Sequence, residues 1–336
     1  MLYYLIRYLE RVFEPPGFQV VEYITVRASL AAITALLISL FIGRRIIRWL
    51  EEKQLGERVR EGESAGAVDH SHKSGTPSMG GLIILISVLV STFLWGAIGE
   101  VYVWLIMLAT AWMGAFGFAD DYIKVVKRDK SGLPARIKLT GQITLGLLVG
   151  SILYFHPQFS DIRTLTYLPF VADETLDYNV LRHFVTGIDL GWLIYIPVVV
   201  FILTALSNAV NLTDGLDGLA AGVTGIVALG LTALAYIAGN AIFADFLNEM
   251  LLPGAGELTI FSASLAASCF GFLWYNGYPA SVFMGDTGAL SLGAAVGTMA
   301  LMVKKELLLP LLCAIFFLET ISVIMQTSWF KYTRKK

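Results

Sequence analysis

Nine apolar runs divide the chain, at 20–43, 79–98, 101–119, 139–155, 190–210, 219–238, 257–275, 287–303 and 307–330. A helix that crosses a bilayer needs about 20 mainly apolar residues. The pattern therefore predicts an all-α, polytopic integral membrane protein with about nine transmembrane helices, organised as one transmembrane unit over 1–336. Ahead of the runs, residues 1–14 set Leu2, Leu5, Ile6 and Leu9 on one helical face. That spacing predicts an amphipathic helix lying in the membrane interface.

The most informative polar stretch is Asn208-Ala-Val-Asn-Leu-Thr-Asp-Gly-Leu-Asp-Gly218. It sits between two apolar runs, yet carries Asn208, Asn211, Asp214 and Asp217 at a three-residue step. Carboxylates are not left at bilayer depth without cause. Asp214-Gly215 and Asp217-Gly218 are turn formers, so a helix is expected to end or break within this stretch. Two carboxylates and two amides on a short irregular segment suit a hydrated cation and a phosphorylated ligand.

Composition fixes the class. The chain has 336 residues, 56% hydrophobic and 15% charged, against about 25% charged in soluble domains. The net charge of −2 gives no pointer to nucleic acid, and none is expected as a partner. Cys269 and Cys313 lie in apolar runs and read as packing residues. The N-terminus, with Arg7, Glu10, Arg11 and Glu14 before Pro15-Pro16, is not a signal peptide pattern. Loop 44–78 carries seven Lys or Arg, loop 120–138 six and the tail after 330 four, so seventeen of the 24 fall on one side. The positive-inside rule makes that side cytoplasmic, with the N-terminus outside and residue 336 inside. Segments 208–218 and 276–286 contribute no Lys or Arg to this count, yet fall on the same side.

Four segments then share the cytoplasmic face: 69–81, 118–138, 208–218 and 274–288. They bring together Asp120, Asp121, Asp214, Asp217 and Asp286, lysines, and Asn211 and Asn276. Hard oxygen donors without His or Cys favour Mg²⁺, which takes one or two carboxylates plus substrate phosphate. Lysines beside them would neutralise a diphosphate. Phosphoryl transfer needs positioning and charge stabilisation, which this set supplies. A site at the membrane surface implies one lipid and one cytosolic substrate. Each feature also has a plainer reading. Asp120-Asp121 fits a solvated helix end, Asp286 a helix N-cap, His70 and His72 a solvated loop, and the basic segment 124–138 the topology signal alone. Their joint occurrence in four loops on one face favours a site.

Five motifs carry a family resemblance: Ser74-Gly-Thr-Pro-Ser-Met-Gly-Gly81, Phe118-Ala-Asp-Asp-Tyr122, the stretch 208–218, Phe272-Leu-Trp-Tyr-Asn276 and Phe283-Met-Gly-Asp-Thr-Gly288. In this order, over about 20 to 330, the chain resembles the phospho-N-acetylmuramoyl-pentapeptide transferases, within the polyprenyl-phosphate N-acetylhexosamine-1-phosphate transferases. The resemblance implies transfer of phospho-MurNAc-pentapeptide from UDP-MurNAc-pentapeptide to undecaprenyl phosphate, giving lipid I and UMP with Mg²⁺. It implies Asp286 as magnesium ligand and Asp120 and Asp121 as catalytic carboxylates, Asp120 as the base. It places Asn211, Asp214 and Asp217 at the diphosphate and nucleotide. Lys73, Asn276 and Phe283 would form the uridine pocket, with Phe283 stacked on uracil and Asp217 near it. Lys124 and Lys138 would face phosphate.

The family further implies ten spans, a homodimer and a bacterial inner membrane, with the site facing the cytoplasm. Family members carry a His-rich loop and a last helix beyond the ninth span. None of the four histidines here follows His183. The expectation is a fragment, or a variant lacking that element, with weak or no activity. Two other readings remain: a sister enzyme transferring GlcNAc-1-phosphate to the same lipid, and a magnesium transporter. A transporter would place acids near the bilayer midplane or show a repeat between halves, and neither is seen.

Overall fold

The computed structural model describes residues 1–52, 76–127, 129, 131–169, 171, 175–179 and 189–333. The helices are α1 (Leu2–Phe13), α2 (Ile24–Glu52), α3 (Gly81–Trp95), α4 (Val101–Val125), α5 (Ala135–Phe155) and α6 (Trp192–Thr213). They continue as α7 (Leu219–Ala238), α8 (Ala241–Phe246), α9 (Leu258–Asn276), α10 (Gly285–Met302), α11 (Leu309–Leu312) and α12 (Ala314–Thr333). Each of the nine apolar runs coincides with a helix or, for 307–330, with a pair bent by 76° at Cys313. Six helices are individually long and apolar enough to cross a membrane, and the bent pair makes up to seven. The protein is a multi-pass helical membrane protein.

The two remaining helices depart from the simple spanning pattern for physical reasons. α3 has 15 residues and follows the irregular segment 76–80, in which Met79 has φ 75°. α10 is built largely of Gly, Ala, Ser and Thr, and every residue from Asp286 to Met302 is buried. Small side chains let neighbouring backbones close on it. A Cβ on Gly293 would fall 2.5 Å from the Ser207 Cα, and one on Gly297 would fall 2.9 Å from Leu203. These contacts run α10 antiparallel to α6. The C-terminal end of α6 therefore lies beside the N-terminal end of α10.

Helix ends differ from the hydropathy pattern where polar residues stay helical. α2 continues past 43 through Arg44, Arg45 and Arg48 to Glu52. α6 runs to Thr213, so Asn208 and Asn211 sit on regular helix and only Asp214–Gly218 forms the turn. The turn thus spans the two Asp-Gly pairs, where the helix was expected to end.

At the opposite end of the bundle, polar residues tie the helices together. Arg27 of α2 makes two hydrogen bonds to Glu257, at 2.5 and 2.8 Å, and the Glu257 carboxylate also accepts from Ala97 N at 2.9 Å. The guanidinium lies 4.3 Å from the Tyr3 ring centroid, which fastens amphipathic α1 to the bundle. A two-stranded antiparallel hairpin joins β1 (Leu165–Tyr167) to β2 (Thr175–Asp177), with Thr166 opposite Leu176. Tyr167 N donates to Lys304 O at 3.1 Å, so the hairpin closes the C-terminal end of α10. Lys304 and Lys305, just past the end of α10, are buried. Lys305 pairs with Glu249, and burial pulls the Lys304 ammonium down to about 8.

Candidate active site

Asp120 and Asp121 occupy the last turns of α4 and are both buried. Successive residues on a helix point about 100° apart, so adjacent carboxylates serve different neighbours. Asp120 faces the loop and helix that follow. Its Oδ1 accepts from Leu133 N at 2.7 Å and lies 2.9 Å from Lys138 Nζ. Its Oδ2 lies 2.5 Å from Lys124 Nζ, one turn further along α4. Lys138, on the first turn of α5, also donates to Asp286 Oδ2 at 2.5 Å, and Lys124 Nζ lies 3.4 Å from the same oxygen. Two carboxylates and two ammonium groups from α4, α5 and α10 thus meet at one end of the bundle.

Asp121 faces the start of α10. Its Oδ1 accepts from Asp286 N at 3.0 Å, and its Oδ2 from Thr287 N at 2.9 Å and Thr287 Oγ1 at 2.6 Å. The helix's own N-cap, Met284, supplies no side-chain cap. Asp121 caps α10 from another helix, and its charge favours the positive end of the helix dipole. Two glycines make this approach possible. A Cβ on Gly117 would collide with the Asp286 carbonyl, and Gly285 has φ 73° with Asp121 Oδ2 2.6 Å from where its Cβ would stand.

The loop before α10 is framed by backbone and amide bonds. Gly80 N and Gly81 N donate to Phe283 O and Met284 O, both at 2.8 Å, and Phe283 N donates to Pro77 O at 2.9 Å. Asn276 Nδ2 donates to Val282 O at 2.9 Å, while its Oδ1 accepts from Gly218 N at 3.0 Å. Asp217 Oδ2 accepts from Ala280 N at 3.2 Å. Asn276 is buried with both ends of its amide engaged, so it shapes the loop that carries half-buried Phe283. Asn211 and Asp214, both half-buried, lie on the last turn of α6 and its C-cap, at the same end as Asp286. Lys73 lies outside the described residues.

Residues 103–304 match glycosyl transferase family 4, and residues 73–85 match the phospho-N-acetylmuramoyl-pentapeptide-transferase signature 1. The phospho-N-acetylmuramoyl-pentapeptide-transferase of Salinibacter ruber is 64% identical over 336 residues, covering 100% of this chain and 87% of that protein. The chain belongs to the phospho-N-acetylmuramoyl-pentapeptide transferase family. Proteins of the same name from Chloroherpeton thalassium and Chlorobaculum parvum are each 50% identical, over 100% and 99% of this chain and 87% and 86% of their own lengths. The chain is accordingly a transferase of peptidoglycan synthesis.

Within this family member, ligand atoms of Asp120, Asp121 and Asp286 all lie within 4.8 Å of one another, a set able to hold a metal ion. The donors are hard oxygens without His or Cys, which suits an alkaline-earth cation. Among the described residues, the buried Asp120 Oδ2 meets only the Lys124 ammonium. A buried carboxylate oxygen with lone pairs to spare is the kind of atom a cation satisfies. The residues fit the group. Thr287, the Leu133 N–H and Gln142, the partner of Asn208, were not singled out from sequence. Thr287 stood inside a quoted motif, but nothing in its spacing indicated that it grips Asp121.

Proposed function

We propose that this transferase moves phospho-MurNAc-pentapeptide from UDP-MurNAc-pentapeptide to undecaprenyl phosphate, giving lipid I and UMP. The observation that carries the reading is the contact of Asp120, Lys124, Lys138 and Asp286 at one end of a membrane bundle. An oxygen of the lipid phosphate attacks the phosphorus nearer the sugar. A P–O bond forms there, the P–O bond to the uridylyl phosphate breaks, and UMP leaves with the bond electrons. Asp120 takes any proton from the lipid phosphate as it attacks. Lys124 and Lys138 balance charge on the diphosphate and the leaving group. Mg²⁺, held by Asp286 with Asp120, would neutralise the diphosphate oxygens and stabilise departing UMP. Asp121 keeps Asp286 in place through the start of α10.

Asn211, Asp214 and Asp217 are assigned to the diphosphate and nucleotide, and Phe283 with Lys73 and the Asn276-framed loop to uridine. The site faces the cytoplasm of a bacterial inner membrane, as the Lys and Arg distribution supports. A homodimer is the assembly expected of the family. The donor is tested by following UMP release in the presence of undecaprenyl phosphate and Mg²⁺. Release from UDP-MurNAc-pentapeptide but not UDP-GlcNAc supports the reading. The opposite preference would assign the chain to the GlcNAc-1-phosphate reaction.

A further inference from the structure

Two buried polar atoms on facing sides of α5 and α6 lack a hydrogen-bond partner among the described residues: Gln142 Nε2 and Thr204 Oγ1. Folded proteins leave few such atoms unmatched, and each calls for a ligand, a water or a reason. Gln142 is only 2% exposed. Its Oε1 accepts from Asn208 Nδ2 at 3.1 Å, and Asn208 Nδ2 also donates to Thr204 O at 2.8 Å. Asn208 itself is exposed on the outer side of α6, where an amide against hydrocarbon is costly.

The place of this amide pair is specific. Gln142 follows Lys138 by one turn of α5, and residues so spaced share a helical face. Lys138 reaches both Asp120 and Asp286. On the other side of the pair an apolar groove of about 420 Å³ runs between α5 and α6, lined by Leu139, Ile143, Leu147, Pro197, Phe201 and Thr204. The groove runs from Leu139 and Thr204 to Leu147 and Pro197, away from the carboxylates, and its floor is closed where Gly146 packs on Val200. The amides thus stand where an apolar groove meets the charged site.

We propose that Gln142, hydrogen-bonded at rest to Asn208, binds a non-attacking oxygen of the lipid acceptor's phosphate while the polyprenyl chain lies in the α5–α6 groove. The inference rests on the transferase reading above and assigns one side of it. A phosphate monoester has three terminal oxygens. One attacks, and the others must be held so that it faces the donor phosphorus. Lys138 supplies one ionic contact. A second ammonium would withdraw further charge from the attacking oxygen, whereas a neutral amide N–H orients the group and leaves it nucleophilic. Turning the exposed Asn208 side chain releases Gln142 Oε1 and lets the amide reorient Nε2 toward the phosphate.

The test uses the full chain in lipid nanodiscs with Gln142→Leu, which removes the donor, and Gln142→Glu, which keeps the shape but sets a carboxylate against phosphate. Polyprenyl phosphate binding is measured by calorimetry without nucleotide, beside the KM for each substrate. Affinity for polyprenyl phosphate is expected to fall about tenfold in Gln142→Leu, the scale of one hydrogen bond to a charged group, and further in Gln142→Glu. The lipid KM should rise in parallel while the KM for UDP-MurNAc-pentapeptide stays within a factor of about two of wild type. Unchanged lipid affinity in both variants would overturn the proposal and leave the amide as a packing group. An equal rise in both KM values would do the same. Failure of the wild-type chain to release UMP would count against the transferase reading itself, and the binding measurement keeps that outcome separate.

Discussion

Asp121 acts on the backbone of another helix. Its two oxygens take the N–H groups of Asp286 and Thr287 and the Thr287 hydroxyl, so it fixes the residue proposed to hold the metal. Partners behind a metal ligand typically matter by about 10- to 100-fold in metal affinity. Thr287→Val removes one of these bonds and keeps the side-chain volume. It should raise the Mg²⁺ concentration for half-maximal activity about tenfold, with the far-ultraviolet circular dichroism of the bundle unchanged. An unaltered Mg²⁺ dependence would show that the Thr287 hydroxyl plays no part in alignment. The carboxylates were legible in the sequence because each interrupts the edge of an apolar run. Their division of labour was not. Asp120 and Asp121 are adjacent and chemically identical in the sequence, and only the turn between them sends one to the lysines and the other to α10. Asn276 is a comparable case, since an amide assigned to the uridine pocket proves to hold two loops together.

Elements were predicted well where the bilayer dictates them and less well where hydrogen bonds do. All nine apolar runs are helical because a membrane leaves backbone groups no other partner. Hydropathy could not find the helix ends, since α2 and α6 continue through charged and amide residues once their backbone ladder is under way. It could not reveal the 76° bend between α11 and α12 either, beyond which only Phe316 of α12 is buried. Nor did it mark α10 as the buried axis, because burial there follows from small side chains rather than from hydrophobicity. Arg27, an isolated charge within the first run, finds its partner on the N-terminal side of α9, a pairing at 230 residues' separation. With side chains 4% and 9% exposed, removing one member strands a buried charge, at a cost of about 3–5 kcal/mol. Arg27→Met should therefore lower the thermal unfolding midpoint strongly, and Arg27→Met with Glu257→Gln should recover most of the loss. If the double variant is no more stable than the single, the pair is not the tie between α2 and α9.

For the whole molecule, the account depends on a division between two ends. One end gathers Asp120, Asp286, Lys124 and Lys138, and the other carries the hairpin, the buried Lys304 and α1. Cys269 and Cys313 are both buried, so an introduced surface cysteine can report topology without background. Ser131→Cys beside the site should react with an impermeant maleimide only after the membrane is opened, and Asn248→Cys at the far end should react in intact spheroplasts. The reverse pattern would turn the site outward and remove the route to a cytosolic nucleotide. The most direct measurement is UMP release from UDP-MurNAc-pentapeptide by the purified chain, with undecaprenyl phosphate and Mg²⁺ each present or omitted, beside Asp286→Ala. Release that requires both lipid and Mg²⁺ and is lost in Asp286→Ala, with the variant still folded, is the predicted result. Release that persists in Asp286→Ala at wild-type Mg²⁺ dependence would contradict a metal-assisted transfer centred on Asp286.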